Sequence, residues 1–175
     1  MERETVEAGM TKLPDGYAIE TIDDGARAGT PLGDELTGFW TSHGVLDESG
    51  ARERLSNVIC VLRDPEGGVA GTSSAVDASV AQIGNRRFWV LRCFAPTAEA
   101  RAAVELIIVA AREHLRERVG GDGVRPLGLC MPVADRNLIA ERNEATWPRS
   151  GMLFAGWTPR GEQLRISYFE GATIL

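Results

Sequence analysis

A chain of 175 residues can close one domain around a sizeable core, and 43% hydrophobic with 25% charged residues is the ordinary balance of a folded globular protein. A net charge of −6 gives no global pull toward nucleic acid or an anionic membrane surface. The longest apolar run falls far short of a bilayer span, and the opening MERETVEAGMTK has no apolar secretory core, so the expected location is the cytoplasm.

Residues 1–16 read as a polar lead-in closed by Pro14-Asp15-Gly16, and residues 17–175 as a single domain. Tyr17 to Ile22 alternates as a first strand does. Asp34 to Trp40 fits a short helix with Leu36, Phe39 and Trp40 on its apolar face, and Glu48 to Ser56 fits a second. Asn57 to Arg63 is a continuous apolar strand. Asp64-Pro65-Glu66-Gly67-Gly68 is a hairpin turn by composition, and Val69 to Ala78 returns as its partner.

Gly84-Asn85 turns the chain into Phe88 to Ala95, an aromatic and β-branched stretch that reads as a buried central strand. Pro96 ends the strand because it has no N–H to donate. Thr97 suits the N-cap of a long helix, in which Val104, Ile107, Ile108, Ala111 and Leu115 recur at helical spacing. Arg101, Glu105, Arg112 and Glu113 fall between them as the polar face, and Gly120-Gly121 stops the run. Leu127 to Val133 is expected as a strand parallel to the central one, since a helix separates the two. Asp135 to Thr146 is the last helical stretch, and Met152 to Trp157 and Gln163 to Phe169 are two closing strands. The fold class is therefore mixed α/β, of the α+β kind, with a mostly antiparallel central sheet flanked by helices.

Cys60, Cys93 and Cys130 lie far apart inside apolar runs with no CxxC spacing, so they read as buried free thiols and no metal is expected. His43 is expected to be a solvated loop side chain, and His114 to face solvent from the long helix. The tryptophans, Trp40, Trp89, Trp147 and Trp157, are expected in the core. Arg86-Arg87 reads as a solvated charge at a turn.

The element order β-α-α-β-β-β-α-β-α-β-β resembles the GNAT superfamily of acetyl-coenzyme A-dependent N-acyltransferases, over roughly residues 17–169. Phe94-Ala95-Pro96 resembles the family's V-x-P at the end of its fourth strand. Asn137-Leu138-Ile139-Ala140 resembles its N-x-x-A, and Ser150-Gly151-Met152 its L-G-F. The chain departs from the family at the pyrophosphate loop, Q/R-x-x-G-x-G/A, which falls here on Glu99-Ala100-Arg101-Ala102-Ala103-Val104. An acid stands where the family has a basic or amide residue, and no glycine leaves room for a close backbone approach. Trp147 holds the place of the family's acidic tyrosine, and an indole N–H is a donor but not a useful acid.

The resemblance implies acetyl-coenzyme A as acyl donor and an amine on a small molecule or protein as acceptor. It places the donor on Cys93, Phe94, Ala95, Ala100, Arg101, Ala102, Ala103, Val104 and Asn137, with the backbone of Cys93 to Ala95 polarising the thioester carbonyl. Glu48, Asp77 and Glu99 are the candidate general bases. Cys93 is a poor nucleophile if its strand is buried. A homodimer through the last strands accords with the resemblance, and no nucleic acid or membrane partner is expected. The rival reading is a GNAT-like domain that has lost catalysis and serves as a binding or interaction module.

Overall fold

The computed structural model describes residues 12–121 and 123–174, so most of the expected lead-in lies outside the described residues. The alternating stretch after Gly16 forms strand β1 (Ala18–Thr21). Helix α1 spans Pro31–Ser42. It begins earlier than the apolar pattern implied, because the Thr30 hydroxyl accepts the Gly33 N–H at 3.1 Å and Pro31 takes the first helical position. Helix α2 (Glu48–Leu55) is capped by Asp47, whose carboxylate accepts the Gly50 N–H at 2.8 Å.

The apolar run that follows is β2 (Val58–Arg63), joined by the Asp64 turn to β3 (Val69–Val80). Asp64 Oδ1 accepts the N–H groups of Glu66 and Gly68, so the side chain itself shapes the turn. A short 3₁₀ turn leads through left-handed Gly84 and Asn85 into β4 (Arg86–Phe94).

The long helix expected after Pro96 is two helices, α3 (Ala98–Ala102) and α4 (Val104–Leu115), broken at Ala103. The Ala103 N–H bonds the Ala100 carbonyl, a three-residue closure that tightens α3 and re-aims the axis. Strand β5 (Gly128–Val133) follows, then α5 (Arg136–Glu141), β6 (Leu153–Trp157) and β7 (Gln163–Tyr168). Helix α5 stops well before Thr146: Arg142, Arg149 and Ser150 bond Glu105 of α4, and Ala145 and Trp147 bond the backbone of Phe154 and Met152 at β6.

All seven strands share one sheet in the order β1-β2-β3-β4-β5-β7-β6. Among the described residues only β4 and β5 pair in parallel, as the crossover helix between them requires. Successive residues of β4 serve opposite faces of this sheet. Trp89, Leu91 and Cys93 pack toward the core cluster built on Val104, Ile107, Ile108 and Ala111 of α4. Phe94 joins the cluster beneath α1 and α2, and Phe88 and Val90 join a third with Cys130, Leu164 and Ile166. Trp40 and Trp147 are buried and Trp89 half-buried, but Trp157 is 56% exposed on the edge strand. The core assignment thus fails for Trp157: β6 has no strand beyond it and its face is not covered.

Candidate functional site

The pairing of β4 with β5 covers only Trp89 with Leu129 and Val90 with Cys130. Beyond that point β4 runs on to Phe94 and β5 to Val133, and the two strands diverge. The facing edges therefore carry backbone groups with no strand partner, which must find another acceptor or donor. The divergence opens a cleft of about 260 Å³. Cys93, Phe94 and Ala95 form one wall and Met131 to Ala134 the other, with Arg101 and Val104 at the helix end.

At that helix end the residues of α3 are turned in on themselves. The Thr97 hydroxyl accepts the Ala100 N–H at 3.2 Å, and the Thr97 carbonyl accepts the Arg101 N–H at 2.9 Å. Ala100, Ala103 and Val104 are buried in the core, while Ala102 is exposed. The Arg101 guanidinium lies across this turn. It donates to the Pro96 carbonyl at 3.1 Å and grips the Glu141 carboxylate of α5 at 2.9–3.2 Å. The hydrogen bond and charge of Glu141 outweigh desolvation and raise the Arg101 pKa, and Arg101 in turn lowers that of Glu141.

Two further cavities lie along the same cleft. One of about 370 Å³ sits between α2 and the β3–β4 pair, lined by Glu53, Arg54, Asn57, Ser74 and Arg92. Another of about 420 Å³ sits between β4, β5 and the β6–β7 turn, lined by Val90, Arg92, Pro132, Thr158 and Glu162. Arg54 borders the first cavity and the cleft, and Arg92 borders all three spaces.

No family model matches the sequence, and no curated protein matches it either. Solved structures do match the fold. A GNAT-family acetyltransferase from Streptococcus pneumoniae superposes with a TM-score of 0.52 at 13% identity, covering 87% of this chain and 99% of that one. A GNAT-family acetyltransferase from Streptococcus agalactiae 2603 gives 0.50 at 11% identity, covering 89% and 96%. The fold is GNAT-like.

Within this GNAT-like fold the residues inferred from the sequence fall into two groups. Cys93, Phe94, Ala95, Arg101 and Val104 meet at the cleft. Ala100 and Ala103 lie beneath it, and Ala102 and Asn137 are exposed and do not line it. Of the proposed bases, Glu48 is exposed and paired with Arg52 one helical turn away. Glu99 is exposed in the first turn of α3. Asp77 is paired with Arg87 and abuts Gly120, where an added Cβ would strike its carboxylate. None of the three lines the cleft or the two cavities beside it.

Arg87 is thus half-buried in an ion pair rather than a solvated charge. His43 keeps an exposed ring, yet its Nδ1 lies 2.8 Å from the Phe39 carbonyl and the ring packs on Phe39 and Phe94. His114 is not on an open face: its side chain is 12% exposed, wedged beside Asp23. Burial raises the pKa of every cysteine thiol, to about 11 for Cys60 and Cys130 and further for Cys93, whose rise the neighbouring Cys60 reinforces. Among the described residues no cluster of His, Cys, Asp or Glu is placed to hold a metal, and no helix is long and apolar enough to cross a membrane.

Sequence reasoning missed the carboxylates that do line these spaces. Asp135 in the cleft is committed to capping α5, accepting the N–H groups of Asn137 and Leu138. Glu162 in the cavity beside β7 is tied to Arg92 and Thr158. Glu53 borders the α2 cavity, and no bond or ion pair holds its carboxylate among the described residues. Nothing in its helical context separates it from other surface glutamates; only the packing of α2 over β3 and β4 brings it to a cavity.

Proposed function

We propose that this chain is an N-acyltransferase that takes an acyl group from a coenzyme A thioester lying in the β4–β5 cleft. The observation that carries this reading is the cleft itself: two parallel strands that part after two paired residues, inside a GNAT-like fold. A thin, amide-bearing thioester arm fits between edges whose backbone groups lack strand partners. Backbone N–H groups of Cys93 to Ala95 would polarise the thioester carbonyl.

The diphosphate end is held differently from a glycine loop. The N–H groups of Ala100, Arg101 and Ala103 are already engaged within α3, so Arg101 is the cation available there, by exchange with Glu141.

The acceptor amine would enter from the α2 side, where Glu53 is the carboxylate free to take its proton. As the C–N bond forms and the C–S bond breaks, the sulfur leaves as thiolate and is protonated from solvent. Trp147 cannot help, because it is buried and its indole N–H is given to the Arg142 carbonyl at 3.1 Å.

Calorimetry with acetyl-coenzyme A tests the reading. Micromolar binding by the wild-type chain, lost in Ala134→Trp, supports it, because Ala134 is an exposed residue on the cleft wall and an indole there fills the gap. Absence of heat in both chains at millimolar ligand overturns it. In that case the rival reading, a catalytically silent interaction module, is favoured by the Arg101–Glu141 bridge over the loop.

A further inference from the structure

Three arginines border the cleft, and two of them are paired. Arg101 is held by Glu141 and Arg92 by Glu162 at 3.1 Å. Arg54, in the last turn of α2, borders both the cleft and the α2 cavity, and no carboxylate bonds it among the described residues. It is half-buried, and burial first, then the charge of Arg92, lower its pKa from the ordinary arginine value. Two guanidinium groups so placed repel one another, and a half-buried cation without an anion is costly. In the same cavity Glu53 offers an unengaged carboxylate.

We infer that the acceptor is an amine that also carries an anionic oxygen group, a carboxylate or a phosphate, with that group seated on Arg54 between the α2 cavity and the cleft. This rests on the proposed acyl-transfer reading and names the acceptor class for the same site. The amine end faces Glu53 and the acid end Arg54, so opposite ends of one short molecule meet opposite charges. A guanidinium fork binds either oxygen acid in the bidentate manner, and the anion relieves the repulsion between Arg54 and Arg92. A neutral arm on the acceptor would leave that repulsion in place.

The test compares β-alanine and O-phosphoethanolamine with their neutral-armed counterparts, β-alaninamide and ethanolamine. Acetyl transfer is read as thiol release from acetyl-coenzyme A by the full chain. The expected result is that at least one anionic amine is acetylated with kcat/KM tenfold or more above its neutral counterpart. In Arg54→Met the anionic-to-neutral ratio of kcat/KM falls to about one, and Arg54→Lys restores part of it. Which anionic amine wins separates carboxylate from phosphate. Equal use of neutral and anionic amines by the wild type, or an anionic preference that survives in Arg54→Met, overturns the inference.

If the chain transfers nothing, the arginine Nε–H resonances are followed during titration with the same four amines. A shift at Arg54 with the anionic pair alone, in a chain that gives no heat with acetyl-coenzyme A, keeps the anion seat while the acyl-transfer reading falls. No shift with any of them removes the seat as well.

Discussion

A single buried carboxylate organises the segment between α5 and β6. Glu105 stands in the helical pattern among polar positions, yet it is fully buried. Its Oε2 accepts the backbone N–H groups of Arg149 and Ser150 at 2.9 Å each and the Ser150 hydroxyl at 3.2 Å, while Oε1 takes Arg142. Beside it Arg165 lies 4.3 Å above the Trp147 ring and donates to the Gln163 side chain. Removing Glu105 would strand the half-buried Arg142 guanidinium and the N–H groups of Arg149 and Ser150 at once. Glu105→Ala should therefore cost about 3–5 kcal/mol in urea unfolding, and Glu105→Gln less, since the amide oxygen still accepts. A loss no greater than that of exposed Glu113→Ala would mean that the cluster contributes little. The cysteines give a second residue-scale expectation. Cys93 borders the cleft but its thiol pKa is raised by burial, so it should react with a disulfide reagent at neutral pH far more slowly in the native chain than in urea.

At the scale of elements, the break between α3 and α4 decides what the Arg101 end of the cleft can offer an anion. Alanines in place of glycines favour a helical turn over an open loop, and that turn consumes the N–H groups a glycine loop would leave free. Arg101 is then the remaining donor, and Glu141 holds it. Glu141→Gln should weaken that grip and raise acetyl-coenzyme A affinity several-fold, whereas Arg101→Ala should lower it; unchanged affinity in both would show that Arg101 takes no part. The order of elements and the parallel β4–β5 pair were legible in the sequence, because strand and helix periods and the Pro96 boundary are local signals. Of the residues that motif order singled out, Cys93, Phe94, Ala95, Arg101 and Val104 line the cleft, and Ala100, Ala102, Ala103 and Asn137 do not. Glu53, Arg54, Arg92 and Glu162 were not legible: they sit on three different elements, and only the packing of α2 and the β6–β7 turn against the sheet makes them neighbours. Glu105 escaped for a related reason, since a helical acid among polar residues looks solvated until a distant loop closes over it.

For the molecule as a whole, α4 is the element that joins the core to the first strands of the sheet, and His114 is where that junction titrates. The ring sits beside the Asp23 carboxylate, 3.8 Å away in the turn after β1, and its Nε2 meets no acceptor among the described residues. Burial, and next the charge of Arg118, hold its pKa below the ordinary 6.5, while Asp23 opposes the shift only in part. Above 6.5 both native and unfolded chains carry a neutral ring, and His114 adds no pH dependence. Below 6.5 the unfolded chain binds a proton that the native chain refuses, so unfolding becomes easier as pH falls toward the depressed native value. Chemical unfolding of the wild type and of His114→Gln should therefore give a stability difference that is flat above pH 6.5 and shifts against the wild type below it. Exposed carboxylates titrate alike in both chains and cancel in the difference. Curves that stay parallel down to the acid limit would place His114 in water rather than in the wedge between α4 and β1. A native ring resonance that titrates above 6.5 would reverse the sign, because then the folded chain would hold the proton against Asp23 and gain stability on acidification.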